Sequence, residues 1–274
     1  KNILAASKAK EVIDIGYHSL LPIDELWLLK NANSRESIFS VQFSKEEDQR
    51  NGHPAATSFH MARGWSDMYP ELQFFNDFPV GPRKDATFVT DIPNRGFSGG
   101  AIITKNPPTK NWEVSERFHP MYGKFTASED LTVVGRTMGY RAIEIYRYAE
   151  VLLIYAEAKA ASGGLDATAL SALNQVKRRA AGLDPNTPNA SVDVTTATVQ
   201  DIIDEKGWEL AAEHKRWFDL VRTETLESAI LKRDPNEQVP LVRQPSKAQY
   251  ISPIPAEAIA TSKLVQNPQG FKIR

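Results

Sequence analysis

The chain has 274 residues, 41% of them hydrophobic and 24% charged, a composition that suits a folded protein and argues against wholesale disorder. Its 33 basic and 34 acidic residues give a formal net charge of −1 with no basic stripe, so a nucleic-acid backbone is not the expected partner. The lack of cysteine removes disulfides, thiolate metal sites and cysteine nucleophiles, and no apolar run reaches the roughly 18–20 residues that a membrane-spanning helix needs.

The chain opens directly in a helical pattern, without an initiator Met, and residues before Lys1 are expected. Asn2 to Ile15 reads as one helix stopped by Gly16, the residue type that tolerates a left-handed C-terminal cap. Pro22 and Asp24 can open a short helix running to Leu29, and Ser37 to Phe43 reads as a strand, rich in branched and aromatic residues. Residues 44–135 differ. Glycines and prolines break them into loops and short elements, yet they carry Trp65, Tyr69, Phe74, Phe75, Phe78, Trp112, Phe118 and Tyr122. Aromatic side chains on loops held by a rigid frame are where a binding surface is expected.

From residue 136 the helical pattern returns. Tyr140 to Ser162 is apolar on several faces, as in a helix buried among neighbours, and Gly163-Gly164 ends it. Asp166 is a good N-cap for a helix whose Leu170, Leu173, Val176 and Ala180 share one stripe, with Lys177, Arg178 and Arg179 in its last turn and Gly182 as the stop. The pair has the length used in tetratricopeptide-type repeats. One long helix is expected from Thr198 to Ile230, with Val199, Ile203, Gly207, Leu210, His214, Trp217 and Val221 on one face; Gly207 would let a neighbour approach closely. The proline-bearing tail from Asp234 onward should be mostly irregular, wrapping over the helices.

Two sets of charged residues stand out. Arg147, Glu150 and Glu157 lie near one helix face, and Asp219 sits between Arg216 and Arg222. Such groups serve either acid/base or metal chemistry or the registration of packed helices. Glu116-x-x-His119 is a single copy of a motif that a di-metal bundle needs twice, and no HExxH, nucleotide-loop or GxSxG motif occurs.

Several blocks resemble the SusD/RagB family: Arg147-Tyr-Ala-Glu150-Val-Leu-Leu-Ile-Tyr-Ala-Glu157-Ala; Ala172 to Ala180 with Gly182-Leu183; Glu205 to Leu210 followed by Glu213 and Arg216-Trp-Phe-Asp219-Leu-Val-Arg222; Tyr250-Ile-Ser-Pro-Ile-Pro-Ala-Glu257; and Gln266-Asn267-Pro268. Pro70-Glu71-Leu72 to Asp77 and Pro82 to Phe88 add weaker matches in the right order. Lys206, His214 and Gln269-Gly270-Phe271 depart from the family's usual residues. The resemblance implies a mainly α, SusD-like fold of tetratricopeptide-type helix pairs around a loop-rich middle carrying short β elements. Residues 1–43 would be the end of a helical-repeat scaffold, 44–135 the candidate ligand-binding region and 136–274 the family's C-terminal helical region. It further implies a surface lipoprotein of the outer membrane of a Bacteroidetes-type cell, anchored only through a lipidated segment before Lys1. Such a protein captures oligosaccharide or polysaccharide without altering it, for delivery to a SusC-like TonB-dependent transporter, with no cofactor or metal. It also implies that the charged residues Arg147, Glu150, Glu157, Arg216, Asp219 and Arg222 are structural ion pairs. A RagB-like peptide or protein binder and, more distantly, a carboxylate-dependent glycosidase are the alternatives.

A sugar offers an apolar C–H face for an aromatic ring and hydroxyl edges for charged or amide partners. On that chemistry alone Trp65, Asp67, Tyr69, Trp112 and Tyr122 are the expected ligand contacts. Trp65 and Trp112 also suit core packing, and Trp27, Trp208 and Trp217 should be mainly packing.

Overall fold

The computed structural model describes residues 1–44, 46–47, 49, 68–98, 101–115, 117–124, 140–237 and 240–266. Helix α1 (Asn2–Asp14) leads to strand β1 (Ser37–Val41). The middle of the chain holds short pieces: α2 (Leu72–Asp77), α3 (Pro82–Thr87), β2 (Phe88–Val89), the hairpin of β3 (Asp91–Ser98) and β4 (Ala101–Asn111), and β5 (Met121–Tyr122), which pairs with β2. Then come β6 (Ile143–Arg147), α4 (Tyr148–Ala160), α5 (Ala167–Ala180), α6 (Val199–Glu209), α7 (Arg216–Arg222), α8 (Leu226–Leu231) and α9 (Ala256–Thr261). The architecture is mainly helical, with small two-stranded antiparallel sheets.

Helix α4 is the hub. It packs against α1, α5 and α6, so it has no face to give to solvent. That is why its sequence is apolar all round: Ala149, Leu152, Leu153 and Ala156 are fully buried. Each of the two leucines contributes about 1.5–3 kcal/mol by leaving water. The following helices start and stop where side chains cap them. Asp166 accepts a hydrogen bond from the Ala169 N–H at 2.9 Å to open α5. At its other end Gly182 takes φ +74°, with Leu183 N–H on the Arg178 carbonyl (2.9 Å) and Gly182 N–H on that of Arg179 (3.0 Å). Thr198 and Asp201 cap α6 reciprocally.

Three expected helices are corrected. The apolar run from Tyr140 does not start as helix: Ile143–Arg147 pairs antiparallel with β1, placing Phe39 opposite Tyr146, and α4 begins only at Tyr148. Pro22 to Leu29 makes turns, in which the Pro22 carbonyl accepts from Glu25 and Leu26, and a short 3-10 helix follows at Leu29–Asn31. The long helix expected over 198–230 is cut into α6, α7 and α8 by residues with positive φ, namely Ala212 (+62°), His214 (+61°) and Glu224 (+55°). Because α7 restarts after the break, it falls out of phase with α6, and Trp217, expected to pack, is 45% exposed. Gly207 admits the Arg216 guanidinium: a Cβ there would lie 2.9 Å from Arg216 Nη1. The tail is mostly irregular and is tied down by Tyr250, which donates to Glu227 at 2.5 Å.

Candidate functional site

At the end of α6 the chain must satisfy carbonyls that no following turn will take. Two buried cations do so. Lys124 Nζ donates to the Glu209 carbonyl (2.8 Å) and to that of Ala211 (3.1 Å), and Arg147 Nη2 donates to the Glu209 carbonyl at 2.7 Å. The same two cations hold Glu213, which the break turns inward. Arg147 grips it at two points, Nε to Oε2 at 2.7 Å and Nη2 to Oε1 at 2.8 Å, and Lys124 reaches Oε1 at 2.6 Å.

The network spreads from there. Arg147 Nη1 meets Glu36 at 2.8 Å and Glu209 at 2.6 Å. Arg179 bridges the same two carboxylates. Arg83 joins Glu205 (2.6 Å) to Glu209 (3.1 Å). The cations Arg83, Lys124, Arg147 and Arg179 face the carboxylates of Glu36, Glu205, Glu209 and Glu213 one for one, all nearly closed to solvent. Trp27 completes the packing, with Lys124 Nζ 4.8 Å and the guanidinium carbons of Arg141 and Arg147 4.7 and 5.6 Å from its ring centre. Burial alone would raise the Glu209 and Glu213 carboxyls. The surrounding charges outweigh it: Arg179, Arg147 and Arg83 around Glu209, and Arg147 and Lys124 around Glu213, hold both below the usual carboxylate range. Burial brings Lys124 down to about 8. A general acid needs the opposite shift and an open face.

Of the other charged residues singled out in the sequence, Asp219 pairs with Arg222 as their spacing suggests and Glu157 joins them, while Arg147, Glu150 and Arg216 take partners outside the set. Glu150 takes Lys215 at 3.0 Å, and burial pushes its carboxyl up despite that partner. Glu157 takes Arg222 at 2.5 and 2.8 Å. Asp219 takes Arg222 (2.6 Å) and Lys206 (3.0 Å), while Arg216 leans to Asp204 at 3.6 Å. Among the described residues no group of three His, Asp or Glu side chains is placed to hold a metal ion. Both ring nitrogens of His119 are taken, Nδ1 by the Arg117 carbonyl (2.7 Å) and Nε2 by Glu237 (2.9 Å).

Of the expected ligand contacts, Trp65 and Asp67 lie outside the described residues. Tyr69 is half-buried with its ring 4.5 Å from that of His119. Trp112 opens a 3-10 turn, with its N–H on the Thr90 carbonyl (2.8 Å) and its ring edge-on to Phe75 at 5.8 Å. Tyr122 lies 5.6 Å from Phe88, and burial raises its phenol. Tyr69 and Trp112 pack on one small core around Ile92 and Met121, and Tyr122 on another around Phe78 and Phe88. Among the aromatic side chains of this region whose burial is described, Phe118 is the exposed one, at 50%. Glu36, fully buried, is the functional-looking carboxylate that the sequence motifs do not flag; it precedes a strand and nothing local marks it. A cleft of about 800 Å³ lies between the 20–24 segment, α3 and the turn after α5, lined by Leu20, Pro22, Ile23, Asp85, Leu183 and Asp184, without an aromatic ring among its described lining.

A family model described as the SusD family matches residues 98–270. A curated relative, SusD-like protein P2 of Formosa agariphila, is 33% identical over 218 residues, which is 76% of this chain and 41% of the relative. A solved SusD superfamily protein from Parabacteroides distasonis aligns with a TM-score of 0.70 at 26% identity, covering 97% of this chain and 57% of that one. Surface glycan-binding protein A from Bacteroides thetaiotaomicron in complex with laminarihexaose aligns with a TM-score of 0.68 at 20% identity, covering 97% of this chain and 60% of that one. The chain therefore spans less than two thirds of the length of each of these relatives. With the family model matching more than half of its residues and the same helical frame in solved members, this chain belongs to the SusD family.

Proposed function

We propose that this chain is part of a protein that captures oligosaccharides at the cell surface by stacking and hydrogen bonding, without breaking a bond. The observation that carries the reading is family membership, joined to a neighbour of the same fold solved with laminarihexaose. The charge network supports the non-catalytic part. Its carboxylates are closed to solvent and bound to arginine or lysine, and Glu209 and Glu213 are driven toward the permanently ionised form. Delivery of the captured glycan to a SusC-like TonB-dependent transporter, and attachment to the outer membrane through a lipid, belong to the same proposal and rest on the family alone. No helix among the described residues is long and apolar enough to cross a membrane.

Calorimetric titration of the whole chain with a panel of neutral oligosaccharides, laminarihexaose included, and in parallel with peptides, tests the reading. Saturable binding of at least one oligosaccharide, with no comparable peptide heat, is the expected result. Binding confined to peptides would replace the glycan with a peptide ligand.

A further inference from the structure

We propose that Phe118 is a stacking platform for a sugar ring, a contact that rests on the glycan reading above and deepens it. Among the described residues, those other than glycine with positive φ are Asn33, Phe118, Ala212, His214 and Glu224. Phe118 stands apart from them. A bulky aromatic residue is poorly suited to φ +51°, where Asn or Gly sits without strain. Strain of this kind is normally offset by burial of the side chain, yet half of this one faces solvent.

The footing under the ring is firm. The 3-10 turn Trp112–Val114 closes with Ser115 N–H on the Trp112 carbonyl (3.0 Å), and Phe118 N–H reaches back to the Ser115 carbonyl (3.3 Å). Directly after it, His119 is buried, held by the Arg117 carbonyl, Glu237 and the Tyr69 ring. Glu237 in turn accepts from the Leu72 N–H at 2.7 Å, so α2, the turn and the tail share one anchor. A ring projected from such a turn loses little freedom on binding, which favours a shallow contact with a ligand. The exposed neighbours in sequence suit a sugar: Val114 is apolar, and Arg117 offers planar donors for hydroxyl oxygens. Tyr69, Trp112 and Tyr122 are half-buried with their rings against protein, and among the middle-segment aromatic side chains whose burial is described Phe118 is the exposed one.

Phe118→Gly separates stacking from structure, because it removes the ring and relieves the backbone together. The probe is the oligosaccharide that the unmodified chain binds most tightly in the panel above. The expected result is affinity about fivefold to tenfold weaker, with a thermal midpoint unchanged or raised by about 2 °C. Phe118→Trp should bind within about twofold of the unmodified chain. Undiminished binding by Phe118→Gly would overturn the proposal while leaving the glycan reading intact. A fall of several degrees in the midpoint would make the ring structural and overturn it too. If the unmodified chain binds no oligosaccharide, the glycan reading itself fails and this contact falls with it.

Discussion

Arg147 and Glu213 meet in a two-point contact, Nε to Oε2 and Nη2 to Oε1, at the place where the polypeptide leaves α6 and is not yet in α7. The pair explains how a helical sequence can stop without a glycine or proline. The break costs helix hydrogen bonds and puts Ala212 and His214 at positive φ. In return Glu213 turns into the interior, and the freed carbonyls of Glu209 and Ala211 are taken by Arg147 and Lys124.

Arg147→Met should therefore be among the most damaging single changes. It strands Glu36, Glu209 and Glu213 beside too few cations, and removing one partner of a buried ionic group costs about 3–5 kcal/mol. Urea unfolding followed by circular dichroism measures it. Arg147→Lys should recover little, since an ammonium cannot reproduce the planar two-point grip. A loss under about 1 kcal/mol for Arg147→Met would contradict this view of the network.

The network also sets the direction of pH dependence. Glu209 and Glu213 titrate below their ordinary 4.5 when folded. The unfolded chain thus takes up protons first on acidification. Their contribution is fully present above pH 4.5 and is lost as pH falls through the window beneath it. Lys124 has the matching sign at the alkaline end. Its amine is held at about 8 against an ordinary 10.5, so folded chains lose this proton before unfolded ones, and its contribution grows from pH 8 to 10.5. Urea midpoints measured from pH 3 to 10 should show a steep acid limb, and Lys124→Met should remove the alkaline rise. An acid limb as flat as that of exposed carboxylates would contradict the assignment.

Two glycines should respond oppositely to alanine. Gly182 stands at φ +74°, where a new Cβ would also come 3.1 Å from the Pro82 ring, so Gly182→Ala should cost about 1–2 kcal/mol. Gly207 is helical, and the atom its Cβ would meet is the movable tip of Arg216. There the gain in helix propensity, about 1 kcal/mol, offsets the shift, and Gly207→Ala should stay within about 1 kcal/mol of the unmodified chain. Thermal melts of the two variants distinguish them directly.

What was legible in the sequence is what local chemistry decides. Asp166 and Gly182 bound α5 because a carboxylate caps one end and a left-handed residue the other. The apolar girdle of α4 announces a helix among helices. What was not legible depends on residues far away. Nothing near Ala212 or His214 signals a break, because the groups that stabilise it, Lys124 and Arg147, come from other parts of the chain. The strand Ile143–Arg147 exists because β1 lies beside it, and its apolar residues merge with the helix that follows. Glu36 needs both Arg147 and Arg179 to be explained. In the candidate site, composition pointed to the aromatic-rich middle, but only the turn at Ser115–Phe118 shows which ring faces out, since Tyr69, Trp112 and Phe118 look alike in sequence.

The central claim is capture without chemistry, and one incubation tests it most directly. The whole chain is held with the oligosaccharide it binds most tightly, at saturating concentration and for many hours, and the sugar is then recovered and analysed by mass spectrometry. The account predicts that the oligosaccharide returns intact in length and linkage although calorimetry shows it bound. Shorter fragments that disappear when a single Asp or Glu is replaced would contradict it.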